Sequence, residues 1–195
     1  MAFSFFALVS RMKNISRWAL MRNSYSENVQ EHSHMVAVIA HALAVIRRDE
    51  FGLPADPDRA ASAALFHDAS EILTGDMPTP VKYFNPEIMA AYKQVESVAA
   101  GKLLGTIPEK MRPAYEELLL EKDGEVARLV KGADKLAAYI KCLEELRAGN
   151  DEFSKAAQQT LESIHKMNMP EAEYFLENFI PAFKLTIDDM DFSGK

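Results

Sequence analysis

His32, an adjacent His67-Asp68 pair and Asp134 place two imidazoles and two carboxylates on three widely separated stretches of a 195-residue chain. Two nitrogen and two oxygen donors can hold one divalent transition ion and leave positions open for water and a substrate. Imidazole mixed with carboxylate favours manganese, cobalt, iron or zinc over calcium, while magnesium prefers an all-oxygen shell. Each residue alone also has a plainer reading. His32 shares an apolar stripe with Val29, Val36, Ile39, Leu43 and Ile46, where a core histidine bonded to a backbone carbonyl fits as well. Asp68 can face solvent, and Asp134 stands at the edge of its own stripe, where a solvated carboxylate is equally at home. A core-facing Asp, by contrast, demands a cation or a donor network. His34 lies about 200° around the helix from His32, and His41 is on the side of His34, so both read as surface or structural residues. There is no His-Glu-x-x-His and no Gly-rich phosphate loop, and the single cysteine, Cys142, reads as packing.

The elements that must position these groups are helical. Ser26 or Asn28 can cap a helix running to about residue 47, before Gly52 and Pro54. Asp56-Pro57 reads as a cap followed by proline in the first turn, opening an Ala-rich helix that reaches His67-Asp68. Residues 75–80 hold two prolines and are read as irregular. Asn85-Pro86 starts a helix to about residue 104, and Pro108 opens another in which Pro113 is read as a kink. From Glu125, the residues Val126, Val130, Ala133, Ala137 and Ile140 recur at steps of four and three, one face of a long helix stopped at Gly149-Asn150. Two further helices span about 152–166 and 170–179. The N-terminal run from Phe3 to Val9 reads as an amphipathic helix packed on the domain, since Arg11 and Lys13 follow it and no cleavage site does. The expectation is an all-α fold, one compact domain over residues 1–195 with about eight helices and a loose tail after about 184. Residues 14–25 and 75–84 stand out as the irregular stretches, and loops on a rigid frame are where functional groups collect.

Composition narrows the class. Hydrophobic residues at 48% and charged residues at 26% are those of a globular protein. With 22 basic against 29 acidic residues the net charge is −7, which disfavours a nucleic-acid polymer as partner. A small anionic substrate remains compatible if a metal reverses the local field. No stretch approaches the roughly 18 apolar residues of a membrane span, and one cysteine excludes a disulfide framework. A cytoplasmic location and no membrane partner are expected.

The order H…HD…D on a helical frame resembles the HD-domain superfamily of metal-dependent phosphohydrolases. Longer runs are more specific. Asn14-Ile15-Ser16-Arg17-Trp18-Ala19-Leu20-Met21-Arg22, Glu27-Asn28-Val29-Gln30-Glu31-His32-Ser33, the run from His67-Asp68-Ala69-Ser70-Glu71 through Gly75-Asp76-Met77-Pro78-Thr79-Pro80-Val81-Lys82, and Lys131-Gly132-Ala133-Asp134-Lys135 are similar to the bacterial 5'-deoxynucleotidases. The likeness covers most of the chain and thins towards the C-terminus. Ala19 follows Trp18 where the likeness leads one to expect proline.

The resemblance implies hydrolysis of 2'-deoxyribonucleoside 5'-monophosphates to deoxynucleoside and phosphate by a metal-activated water. His32, His67, Asp68 and Asp134 would be the metal ligands. The ion would be cobalt or manganese foremost, with copper, iron or zinc as alternatives. Glu71, one turn beyond the pair if the helix continues, would position or deprotonate the water. Arg17 would grip the phosphate with a planar guanidinium, and Trp18 would pack against sugar or base; a surface Arg and a core Trp are the plainer readings. Asp76, Met77, Pro78 and Thr79 would form the second substrate wall, with Asp76 either accepting from the 3'-hydroxyl or protonating the leaving oxygen. A stiff proline loop near C2' would reject ribonucleotides. His32, Asp68 and Asp134 would also border the substrate, and a homodimer is implied. Arg22, Lys82 and Lys135 read as solvated charge outside the site. The competing readings are a dNTP triphosphohydrolase, a cyclic-nucleotide phosphodiesterase, or a non-catalytic nucleotide sensor stabilised by its metal.

Overall fold

A computed structural model describes residues 2–82, 84–120 and 124–193; the side chain of Thr79 lies outside this description. Ten α-helical segments occur among the described residues: α1 (Phe5–Val9), α2 (Val29–Asp49), α3 (Pro57–Phe66), α4 (Glu71–Thr74), α5 (Thr79–Lys82), α6 (Pro86–Leu104), α7 (Arg112–Leu119), α8 (Gly124–Arg147), α9 (Ser154–His165) and α10 (Pro170–Asn178). The only β pairing among them is an isolated antiparallel bridge between Ser16 and Asn28. The all-α expectation holds, and the excess over about eight helices comes from the single turns α4 and α5.

Local chemistry sets the boundaries. Asn28 begins α2 with a capping box: its side chain accepts from the Glu31 amide at 3.0 Å and Glu31 accepts from the Asn28 amide, an arrangement worth about 1 kcal/mol. Asp56 and Asn85 cap α3 and α6 by accepting from the Arg59 and Ile88 amides, each followed by proline in the first turn. Gly149, in the left-handed region at φ 82°, follows the end of α8.

The main core lies where α2 packs on α3 and α8. Leu43 and Ala40 of α2, Ala60, Ala63 and Ala64 of α3, and Leu129, Ala133 and Leu136 of α8 are buried together, closed from below by Met169 and Phe175. Small residues let the helices approach. A Cβ on Gly132 would lie 2.9 Å from the Met169 side chain. A second core under α1 joins Phe5, Ala69, Leu103 and Ile107.

Three expectations need correction. The Ala-rich helix does not continue through His67-Asp68: it ends at Phe66, residues 67–70 form turns, and Glu71 starts a separate turn with its amide bonded to the Asp68 carbonyl at 3.0 Å. Pro113 does not kink a helix; it occupies the first turn of α7, where proline's missing N–H costs nothing. The stretch after Gly75 is not irregular throughout, because Pro80 is accommodated within α5. No helix among the described residues is long and apolar enough to cross a membrane.

Candidate active site

α2, the turn after α3, and α8 converge at one point because their buried faces share the main core. From α2, His32 is fully buried, and its Nε2 lies 3.0 Å from Asp134 Oδ1 on α8 and 3.7 Å from Asp68 Oδ2. His67 Nε2 lies 3.1 Å from the same Asp68 oxygen. Ligand atoms of His32, His67 and Asp68 fall within 4.8 Å of one another. His32 is therefore buried, as an apolar stripe demands, but its ring faces a carboxylate rather than a backbone carbonyl.

The fit of this cluster to a metal ion rests on the histidine nitrogens. His67 Nδ1 lies 2.7 Å from the Ala64 carbonyl. A carbonyl only accepts, so Nδ1 carries the proton and the lone pair of a neutral ring sits on Nε2, turned into the cluster. That Nε2 is buried and faces Asp68 Oδ2 at 3.1 Å. Two imidazoles and two carboxylates turned towards one another are a donor set for a borderline divalent ion.

Exposure is graded around the cluster: the Asp68 side chain is 21% exposed and that of Asp134 is 40% exposed. The side near Asp134 is thus the open one. Beyond it lies a cavity of about 600 Å3 lined by His67, Asp134, Ala63, Leu118, Val130 and Lys131, among others.

The charges around the cluster are strongly biased. Burial lowers the affinity of His67 for a proton, but Asp68 overrides it and holds the ring at about 9, so a metal ion bound at Nε2 would displace a proton and leave the neutral ring as its ligand. Asp68 and Asp134 both lie below the carboxylate range despite burial: His67 is the chief cause at Asp68 and the His32 hydrogen bond at Asp134. Glu71 goes the other way. Burial, then the Asp68 and Asp76 carboxylates, push it up to about 9, and its Oε2 is buried without a partner. Asp76 is also raised, chiefly by burial, with Arg17 and His32 opposing.

Arg17 comes to the edge of the cluster, its Nη1 donating to Asp68 Oδ2 at 3.4 Å. Trp18 is half-buried, with its ring 5.2 Å from that of Phe153 and its Nε1 donating to Glu27; the contacts it makes are those of a packed core residue. Met77 and Pro78 are half-buried on the loop that leaves α4 through Gly75, whose φ of 73° favours glycine. His34 and His41 are exposed, away from the cluster.

Sequence reasoning missed the groups that hold the two loops. Lys141, Glu145 and Asn150 form a buried polar network. Glu145 accepts from the Ser24 and Tyr25 amides at 2.8 and 3.1 Å and from Asn150 at 2.8 Å, while Lys141 donates to Glu145 and to the Tyr25 carbonyl. The i, i+4 spacing of Lys141 and Glu145 was the only available signal, and it reads as a surface pair. Tyr92 and Glu96 of α6 back the proline loop, the first donating to the Gly75 carbonyl at 3.4 Å and the second holding Lys82 at 3.0 Å.

An all-α bundle that gathers a histidine, a His-Asp pair and a distant Asp defines the HD-domain class of phosphohydrolases. An HD-domain phosphohydrolase from Listeria innocua superposes with a TM-score of 0.79 at 26% identity, over 92% of this chain and 88% of that one. Residues 4–183 match the YfbR-like 5'-deoxynucleotidases, and the chain belongs to that family. A 5'-deoxynucleotidase of Vibrio cholerae is 47% identical over 188 residues, covering 95% of this chain and 97% of the relative. The HD phosphohydrolase of cyanophage S-2L, solved with dA and one catalytic Zn2+, shares the fold with a TM-score of 0.68 at 22% identity, covering 95% of this chain and all (100%) of that one.

Proposed function

We propose that this protein is a metal-dependent 5'-deoxynucleotidase, a phosphoric monoester hydrolase that converts 2'-deoxyribonucleoside 5'-monophosphates to deoxynucleoside and phosphate. The observation that carries the reading is the convergence of His32, His67, Asp68 and Asp134 beside Arg17 and Glu71, in a chain 47% identical to a named 5'-deoxynucleotidase.

His32, His67, Asp68 and Asp134 would hold one divalent ion, cobalt or manganese foremost. Such an ion supplies Lewis acidity, which acidifies water and neutralises charge on a phosphate oxygen. The chain's own groups do the rest. Arg17 presents Nη1 at the cluster and binds a non-bridging phosphate oxygen by a charge-assisted bond. Glu71 would take the proton of the attacking water at its carboxylate; burial and the Asp68 and Asp76 charges favour its protonated form, and a divalent cation among the neighbouring ligands would oppose that bias and free the base. Asp76, also raised, faces the same space and either accepts from the 3'-hydroxyl or delivers a proton to the leaving 5' oxygen. Met77, Pro78 and Thr79 would form the second substrate wall, stiffened by proline and entered through Gly75, whose carbonyl Tyr92 holds, and a 2'-hydroxyl would find neither room nor partner there. A homodimer in the cytoplasm is the working assembly.

The test is phosphate release from a panel of deoxy- and ribonucleotides, after chelation and again after defined metal add-back. Phosphate from dAMP and not from AMP, lost on chelation and regained with cobalt or manganese, is the expected pattern. Triphosphate released from dNTPs would indicate a triphosphohydrolase instead, and equal cleavage of AMP would remove the sugar-discrimination part.

A further inference from the structure

Glu27 has no role in the reading above, yet it touches two residues on which that reading depends. Its Oε2 accepts from Arg17 Nε at 3.1 Å and from Trp18 Nε1 at 3.0 Å. We propose that Glu27 is a positioning residue, whose carboxylate aims the Arg17 guanidinium at the incoming phosphate and locks the Trp18 indole beside it. The inference rests on Arg17 being the phosphate grip.

A guanidinium is a rigid planar fork, so fixing one nitrogen fixes the direction of the other two. Glu27 occupies Nε, and Nη1 then reaches Asp68 at the metal cluster. Both partners are shielded: the Arg17 side chain is 13% exposed and that of Glu27 17% exposed, where charge-assisted bonds gain over water. Without Glu27, Arg17 keeps its bond to Asp68 and the pull of Asp134 and Asp76, and the fork would turn towards the metal ligands instead of the substrate.

Trp18 needs holding for a different reason. Its φ of 58° lies in the left-handed region that a bulky side chain rarely adopts. The bond to Glu27, the ring contact with Phe153 and the Asn23 amide on the Trp18 carbonyl at 3.3 Å keep it there. Glu27 also pairs through its main chain, accepting from the Arg17 amide at 3.0 Å. It directly precedes Asn28, the cap of the helix that carries His32. One residue thus ties the phosphate grip to the first metal ligand.

Steady-state kinetics on dAMP with the metal-loaded protein tests this, alongside tryptophan emission, which reports Trp18 alone because the chain has a single Trp. Glu27→Ala is expected to raise KM by about tenfold or more with a much smaller change in kcat, the loss of hydrogen bonds to charged groups, and to shift the emission. In Glu27→Gln one amide oxygen can still accept from both N–H groups, so KM and emission should return most of the way to wild type. In Glu27→Asp, one methylene shorter, they should not. Adding Glu27→Ala to Arg17→Ala should raise KM by less than the product of the two single effects, the remainder coming through Trp18.

An unchanged KM in Glu27→Ala, a Glu27→Gln variant as impaired as Glu27→Asp, or fully additive effects would overturn the proposal. Should Glu27→Ala not fold, the contrast between Gln and Asp decides. If the wild type releases no phosphate from dAMP, the functional reading fails on its own. Titration with inorganic phosphate, followed by Trp18 emission, then tests Glu27 separately: weaker binding in Glu27→Asp than in Glu27→Gln supports it, and equal binding contradicts it.

Discussion

Glu71 is where function and stability pull apart most sharply. Its side chain is buried and flanked by Asp68 and Asp76, so ionisation is penalised and the carboxyl sits at about 9. In the proposed mechanism that costly setting serves chemistry rather than folding. Glu71→Gln should therefore abolish phosphate release from dAMP, by about 100-fold or more as expected for a general base, while thermal melting shows unchanged or raised stability. A fall in stability with turnover retained would reverse the assignment. At this scale, residue type was legible and residue partnership was not. The four candidate ligands were readable because two imidazoles and two carboxylates together make a donor set that neither a solvated surface nor an apolar core calls for. Glu27 was not: a carboxylate on an irregular stretch has no periodicity, and its bonds to Arg17 and Trp18 exist only once the chain folds back at the Ser16–Asn28 bridge.

Among the elements, the segment carrying Arg17 and Trp18 has almost no regular structure and depends on α8 for its shape. Glu145 and Lys141 reach it from one face of that helix, both nearly inaccessible to solvent. Glu145→Ala would leave the Lys141 ammonium buried without its carboxylate, a change that costs about 3–5 kcal/mol and is measurable by urea unfolding at pH 7. The pH dependence has a defined sign. Lys141, Asn150 and the Ser24 and Tyr25 amides outweigh burial and hold Glu145 well below its ordinary value of 4.5. Its contribution is complete above that value and is lost as pH falls below it. Wild type should thus lose stability in acid more steeply than Glu145→Gln, whereas parallel curves would rule out the network as the anchor. Caps and prolines made the long helices readable: Asn28, Asp56 and Asn85 all start helices as their types dictate. The break after Phe66 was not readable, because Ala-rich sequence favours continuing the helix and only tertiary packing of Ala69 under Leu103 and Ile107 turns the chain aside. That turn is what brings His67 and Asp68 to the cluster and sets Glu71 behind them.

For the molecule as a whole, the net charge of −7 sits awkwardly with an anionic substrate until the site is considered by itself. Four donors, two of them anionic, invite a divalent cation; in the proposed mechanism that ion and Arg17 at the rim would together reverse the local sign where a phosphate would arrive. Fold and family were legible because the helical punctuation and the HD pattern are properties of local sequence. The large cavity beside His67 and Asp134 was not, since it arises from how α3, α6, α7 and α8 meet. The central claim is that one ion is held jointly by side chains from α2, the turn after α3, and α8. Its most direct test is the number of cobalt or manganese ions bound per chain, measured by equilibrium dialysis and elemental analysis, in wild type and in Asp134→Ala. One ion per chain in the wild type and strongly weakened binding in the variant is the expected result. A wild type that binds none, or an Asp134→Ala variant that binds as tightly as the wild type, would contradict the account.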